Sequence, residues 1–542
     1  MRQSPAVVRQ SDLKRQPSQG GMEMNLGVLF ERAIRRHQDK IAIVDGPYEI
    51  SFAELGRRAN RVANALHKLG VEKGARAALL MQNCHQAIEI DAGLFKTGVV
   101  KVPLNARLSS RELQAIIADS GACIIFVHIA LADVLLQDGD LPATVRHIVI
   151  IEGERAPYPS YAILLEGSSD EPVENNISPD DIYGLFYTSG TSGVLKAGML
   201  THKNWMVLTR ANLMRGGSEN AEDINAAYVA PITHAAGGAI LANLIRGSKN
   251  ILFRQFDPGG FLRAVEKQRI TDVLLIPVMI NMLLERPEIR ECDLSSLRTI
   301  TYGAAPMSPE RIRQALDVFG PVLVQGYGQT ESCAIISTLG KAEHALVDDP
   351  AKSHLLSSVG VPDVECEVRL VDGNGDDVPT GDIGEIIVRG DNVMKGYWNA
   401  PELTKDAIRN GWLHTRDMGR LDEDGYLYLV DRKSDMIITG GFNVYPTEVE
   451  NVLYQHPAVY EVAVISVPDP KWGEGIKAAV VLKPGASATS DELIEFCRQS
   501  LAHYKAPKSI DFLNELPKSA VGKILRRVVR EPYWQNLDRR IG

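Results

Sequence analysis

The chain reads as an α/β protein. A large N-terminal part holds two doubly wound βα units and a small β-barrel-like subdomain, and a small α+β domain follows. Three observations carry this. Between Asn25 and Gly303, short apolar runs alternate with helical segments, the pattern of a parallel sheet covered on both faces. From Ser358 the pattern changes to short strands separated by Gly-Asp turns, as in an antiparallel sheet or barrel. Beyond Ser434, two longer strands alternate with two helices. With 542 residues the chain is too long for one ordinary domain. Domain limits are expected at 22–433 and 434–542, with residues 1–21 a polar, mildly basic, disordered extension and Met22 or Met24 an alternative start.

Taken in order, Leu26, Leu29, Phe30 and Ala33 have helical spacing, and Ile41-Ala42-Ile43-Val44 is a strand. Ser51 to Leu69 is an amphipathic helix with Ser51 as N-cap. A buried strand Ala77–Met81, a helix through Ala87–Ile90, a strand Val99–Pro103 and a helix from about Ser110 follow. Asp181–Tyr187 is a strand, and His202–Gly216 is helical. Strands Ala227–Pro231, Ile251–Phe253, Val273–Pro277 and Thr299–Gly303 alternate with helices Ala235–Gly247 and Pro258–Arg269. Strands Glu367–Leu370, Glu385–Val388 and Tyr426–Leu429 make the antiparallel part. Helices Pro446–Gln455 and Ser490–Leu501 with strands Val462–Ile465 and Ala478–Leu482 complete the C-terminal part.

Composition narrows the function classes. A net charge of −9 spread over both signs is no polyanion-binding signature, so nucleic acid is not an expected partner. The six cysteines are scattered with no Cys-x-x-Cys pair, which reads as a reduced cytoplasmic protein without structural zinc. No apolar run reaches the roughly 18 residues of a membrane span, and residues 1–21 lack the apolar core of a secretory signal.

Chemistry concentrates in Tyr187-Thr188-Ser189-Gly190-Thr191-Ser192-Gly193-Val194-Leu195-Lys196. Glycines let successive N–H groups turn toward an anion, hydroxyls add donors, and the lysine adds a mobile charge. A polyphosphate needs such a set. The run lacks the Gly-Lys-Ser/Thr ending of a Walker loop, which disfavours a kinase or GTPase of that class.

The run resembles the phosphate loop of the adenylate-forming superfamily, which includes acyl-CoA synthetases, adenylation domains of peptide synthetases and beetle luciferases. Four further stretches match in order: Gln325-Gly326-Tyr327-Gly328-Gln329-Thr330-Glu331, Gly411–Asp417, Asp431-Arg432-Lys433-Ser434-Asp435 and Pro517–Lys523. The likeness spans the chain from about Leu26 and falls in the acyl-CoA synthetase (carboxylate–CoA ligase) branch.

The resemblance implies ATP, Mg²⁺ and coenzyme A, and gives each motif a role. Thr188, Ser189, Gly190, Thr191, Ser192, Gly193 and Lys196 hold the polyphosphate. Glu331 serves the metal and Thr330 the α-phosphate. Tyr327 stacks on adenine, the Gln325 amide meets its edge beside Gly326, and Gly303-Ala304-Ala305 covers its other face. Asp417 accepts from the ribose hydroxyls, with Arg432 nearby. Lys523 bridges the acid's carboxylate and the α-phosphate. Ser434 is the hinge of a mobile C-terminal domain, Gly440 and Gly441 admit pantetheine, and Trp472 flanks coenzyme A. The acid pocket involves His234, Gly238, Gly303 and Gly328. Two departures stand out: Ser192-Gly193-Val194-Leu195-Lys196-Ala197 lacks the usual Pro before Lys and Gly after it, and Ser434 replaces the usual Asp or Lys.

The reading is therefore an AMP-forming ligase joining a small carboxylic acid to coenzyme A, as a monomer or homodimer. The small residues Ala235, Ala236, Gly237 and Gly238 point to a medium- or long-chain fatty acid or an aromatic acid over acetate. Two rivals are an adenylating enzyme that loads a carrier protein and a non-catalytic nucleotide-binding homologue. An amino-acid-activating enzyme is disfavoured, because Pro231–Gly238 lacks a carboxylate for an α-ammonium.

Overall fold

The structure is a computed structural model that describes residues 23–136, 141–189, 195–215, 224–305, 307–432, 435–439, 442–518 and 524–535. The 1–21 extension, Gly190, Thr191, Ser192, Gly193, Ser434, Gly440, Gly441 and Lys523 lie outside the described residues.

Two large sheets form the N-terminal part. The first runs His147–Ile151, Ile124–His128, Arg76–Leu80, Val100–Pro103, Ile182–Ser189, Leu195–Thr201. Its first five strands are parallel, and the last two form an antiparallel hairpin. Ile124–His128 is buried at all five positions, as a strand covered on both faces must be. The second sheet has nine strands, with Leu323–Tyr327, Thr299–Gly303, Asp272–Leu275, Asn225–Tyr228 and Lys249–Leu252 parallel at its centre. Phe30, Phe52, Tyr183, Trp205 and Leu208 share one buried core that joins the two units.

Three features of the fold are set by pairing between distant segments. Ile41–Asp45 does not open the first sheet: it pairs in parallel with Lys249–Leu252 of the second, so the units interleave in sequence. Leu195–Thr201 is a strand rather than part of a loop. Lys, Ala and Gly are poor strand formers, but both edges are satisfied: Trp398 N–H donates to the Ala197 carbonyl and Met199 N–H to that of Gly396, each at 2.9 Å. Asp417 lies inside a ten-residue strand, Trp412–Leu421, not in a turn.

That strand belongs to an antiparallel sheet with Cys366–Val371, Gly384–Gly390, Ile408–Arg409 and Leu427–Arg432. Its register shifts between Met418 and Gly419, and Arg416 has φ +62°. An irregularity of this kind re-aims the side chains beside it, here Asp417. The last sheet runs Phe442–Val444, Ile437–Thr439, Gly473–Leu482, Val459–Asp469, with Ser509–Phe512 parallel to Gly473–Leu482. Helices Pro446–Leu453 and Ser490–Ser500 accompany it, the second started by a Thr489/Glu492 capping box.

Where the third sheet meets the last, Asp431 accepts from Thr447 N–H (2.8 Å), Thr447 Oγ1 (3.0 Å) and Arg526 (2.9 Å). Arg526 also donates to both oxygens of Glu450, at 2.8 and 2.5 Å. Burial disfavours its charge, but Glu450 and Asp431 outweigh that and keep the guanidinium protonated. Removing one member of such a buried group strands the others. Arg526→Met is expected to cost about 3–5 kcal/mol of stability, read from urea denaturation; a loss below about 1 kcal/mol would show the cluster to be solvated rather than structural.

Candidate active site

The hairpin of the first sheet pairs Thr188 with Lys196 and Ser189 with Leu195, so the expected phosphate loop sits at its tip. Lys196 Nζ donates to Glu331 Oε1 at 3.0 Å and to the Tyr397 hydroxyl, and lies 4.3 Å from the centre of the Tyr397 ring. The Tyr397 hydroxyl in turn donates to Glu331 Oε1 at 2.6 Å. Glu331 is only 7% exposed. Burial alone would raise its carboxyl, but the Lys196 ammonium and the Tyr397 hydroxyl hold it below the usual carboxylate range. It is therefore ionised at neutral pH. Tyr397 was not foreseen; nothing in Gly396-Tyr397-Trp398 marks it apart from an ordinary core aromatic.

Glu331 stands on a short 3-10 turn, Thr330–Ser332, after which Cys333 and Ala334 take positive φ of 50° and 62°. The chain folds back there over Gly328. A Cβ on Gly328 would lie 2.3 Å from the Ala334 carbonyl carbon and 2.5 Å from Ile335 N. Its small size thus answers to this backbone approach rather than to pocket volume. Thr330 Cγ2 lies 3.6 Å from where a Gly198 Cβ would be, which sets the turn against the hairpin strand.

Beside this charged group is a polar edge. The Tyr327 hydroxyl donates to Asp417 Oδ2 at 2.7 Å, and Asp417 pairs across strands with Arg432. Gly303 and Gly326 are opposite each other, and a Cβ on Gly303 would meet the Gly326 carbonyl oxygen at 2.4 Å. Ala304 then takes φ +66°, a left-handed conformation that costs a non-glycine residue energy, and Ala305 follows. The Gln325 amide oxygen accepts from the buried Tyr302 hydroxyl at 3.2 Å. These groups gather at the carboxyl ends of two parallel strands, the usual ligand position of open α/β sheets.

His234 Nδ1 is 2.9 Å from Thr233 Oγ1. Burial, reinforced by the Lys101 charge, pushes the imidazole down to about 4. Gly238 does not open a pocket by its smallness: a Cβ there would lie 2.4 Å from Leu208 Cδ2. Gly237 is likewise closed, with the Ile232 carbonyl oxygen 1.9 Å from its Cβ position. Gly238 serves the packing of this segment against the helix His202–Arg215, and Gly237 serves its turn back on Ile232.

The profile of the AMP-binding enzyme family matches residues 30–398, and that of its C-terminal domain residues 448–523. The chain is 41% identical to a feruloyl-CoA synthase of an Amycolatopsis species over 515 residues, covering 94% of this chain and 99% of that one. The chain belongs to the adenylate-forming AMP-binding enzymes, in their acyl-CoA synthetase branch. A medium/long-chain-fatty-acid–CoA ligase of Mycobacterium tuberculosis is 33% identical over 541 residues, covering 95% of this chain and 91% of that protein. Among solved structures, an anthranilate CoA ligase bound to anthranoyl-AMP superposes with a TM-score of 0.85 at 28% identity, covering 97% of this chain and 99% of that one.

In this acyl-CoA synthetase fold, Trp472 sits where the strands Val459–Asp469 and Gly473–Leu482 turn, with its N–H and that of Lys471 bonded to Asp469 Oδ1 at 2.9 Å. The indole is 43% exposed, and the ammonium groups of Lys471 and Lys508 lie 4.7 and 5.2 Å from its ring centre. Gly473 pairs with Thr439, which brings Trp472 beside the end of the strand Ile437–Thr439. Lys508 was missed from sequence because 36 residues separate it from Trp472 along the chain. Elsewhere, Asp45, His85 and Glu152 approach within 4.8 Å of one another. Arg254 fills the cation position there, bonded to Asp45 at 3.0 Å and Glu152 at 2.6 Å, so the cluster is an ion-pair network. No helix among the described residues is long and apolar enough to cross a membrane.

His234 yields a pH prediction. Its folded-state value is below the ordinary 6.5, so the unfolded chain takes up the proton first. Its contribution is complete above about pH 6.5 and is lost as the pH falls toward 4. His234→Asn is expected to lose less thermal stability than the wild type between pH 7 and pH 5. An equal loss in both proteins would show that the fold does not hold the His234 imidazole below its ordinary value.

Proposed function

We propose that this enzyme joins an aromatic carboxylic acid to coenzyme A in two half-reactions through an acyl-adenylate. The observation that carries this is the ionised Glu331, held by Lys196 and Tyr397 at the phosphate hairpin, next to the Tyr327–Asp417 edge. One group suits a polyphosphate and the other a nucleoside. An oxygen-only donor set of one carboxylate, Glu331, beside the Thr330 hydroxyl fits Mg²⁺, which takes one or two carboxylates with substrate phosphates. When bound, the metal neutralises phosphate charge.

In the first step an oxygen of the acid's carboxylate bonds to the α-phosphorus of ATP, and the bond from that phosphorus to the β-bridging oxygen breaks. Pyrophosphate leaves. Lys196, released from Glu331, attends the polyphosphate, while Asp417 accepts from the ribose hydroxyls. Lys523 offsets charge at the α-phosphate as it develops. In the second step the CoA sulfur bonds to the acyl carbon, AMP leaves with the acyl-bound oxygen, and the thiol proton passes to solvent. The C-terminal domain, taken as 434–542 behind the 22–433 adenylating domain, turns about Ser434 between steps and brings Gly440, Gly441 and Trp472 to the acyl group. Support for an aromatic acid comes from the relative named a feruloyl-CoA synthase, at 41% identity against 33% for the fatty-acid ligase, and from the anthranilate ligase likeness.

The half-reactions are expected to separate by mutation. Lys523→Ala should lower acyl-AMP formation about 10²–10³-fold, the scale of one lost charge-stabilising contact. It should leave CoA capture of synthetic acyl-AMP little changed. Gly441→Leu should do the reverse. Single-turnover pyrophosphate release and thioester formation read the two steps; equal impairment of both by Lys523→Ala would contradict the scheme.

A further inference from the structure

Arg215 ends the helix His202–Arg215, which places Trp205 and Leu208 in the shared core. One turn earlier, Asn212 Nδ2 donates to the Gly238 carbonyl at 3.4 Å, so this end of the helix adjoins the segment after His234. The guanidinium is nearly buried, its side chain 14% exposed. One nitrogen, Nη2, donates to Asp363 Oδ2 at 3.4 Å, a long and weak contact. Nε is buried and has no hydrogen-bond partner among the described residues.

Where the guanidinium faces is told by Gly326. Among the described residues, a Cβ built there would have a single neighbour within 4 Å, Arg215 Nη1 at 3.9 Å. Gly303 and Gly328, on either side, are filled by backbone. No other described residue covers the face of the strand at Gly326, and the guanidinium bounds it. Gly326 precedes Tyr327, whose side chain points to the opposite face of the strand and meets Asp417. The space over Gly326 thus lies next to the nucleoside edge, on the side of the helix and of the His234 segment.

We propose that Arg215 forms the far wall of the acid pocket and donates to a neutral oxygen at the end of the acid remote from its carboxylate. Resting on the aromatic-acid reading, this names the class: aryl acids with a ring hydroxyl. A neutral acceptor fits better than a second carboxylate, because Asp363 already balances the Arg215 charge. A buried donor left without an acceptor is costly, so an acid lacking that oxygen is penalised by the site itself.

The test compares kcat/KM for 4-hydroxycinnamic acid with that for cinnamic acid, and for 10-hydroxydecanoic acid with that for decanoic acid. Wild type, Arg215→Met and Arg215→Lys are used. The wild type is expected to prefer 4-hydroxycinnamic acid by about tenfold or more, and Arg215→Met to bring that ratio within about threefold of one. Arg215→Lys keeps a cation opposite Asp363, which protects folding, but lacks the planar fork, and should also collapse the ratio. No preference in the wild type, or a wild-type ratio retained in the folded variant, overturns the inference. If decanoic acid exceeds both cinnamic acids, the aromatic reading falls instead, and Arg215 is then judged by the same criteria on the decanoic pair.

Discussion

The site depends on one buried ion pair. Glu331 is a carboxylate in the interior, and an unpaired ion there would cost several kcal/mol. Lys196 and Tyr397 remove that cost, and in doing so they tie three separate segments together: the hairpin strand, the 330–332 turn and the 394–398 segment. The backbone follows the same joins, with Met394 N–H on the Glu331 carbonyl and Trp398 N–H on that of Ala197. In the reaction we propose, a polyphosphate that takes Lys196 leaves an ionised carboxylate facing the phosphates, so nucleotide and divalent cation are coupled by the same pair.

A second constraint comes from close backbone approaches. Gly303 against the Gly326 carbonyl and Gly328 against the Ala334–Ile335 peptide bring two strand ends and a turn nearer than any side chain permits. The open face at Gly326 is the exception among them, and it is bounded by Arg215. The same region holds Ala304 in a left-handed conformation. Strain of this kind persists only where neighbouring structure enforces it.

Much of this was legible in the sequence, for definite reasons. Apolar strands, Ser51 as N-cap and the hydroxyl-rich run before Lys196 are local signals, and the motif order carried the family. Non-local facts were not. The strand Trp412–Leu421 is too polar to read as one, and it is held by its partners on both sides. Ile41–Asp45 joined a sheet whose strands, its hairpin partner Tyr48–Ser51 apart, lie 180 residues and more along the chain. Gly237 and Gly238 read as pocket space because sequence does not tell which way a Cβ points; they face Ile232 and Leu208. Tyr397 and Arg215 carry no motif, and their roles exist only through what the fold sets beside them.

In the reaction we propose, the acid's own carboxylate oxygen attacks the α-phosphorus of ATP. Acid labelled with ¹⁸O in both carboxylate oxygens, turned over with ATP and coenzyme A, tests this most directly. Mass spectrometry of the products should find one ¹⁸O in the phosphate of AMP and none in pyrophosphate. Unlabelled AMP, or ¹⁸O in inorganic phosphate released with ADP, would contradict it.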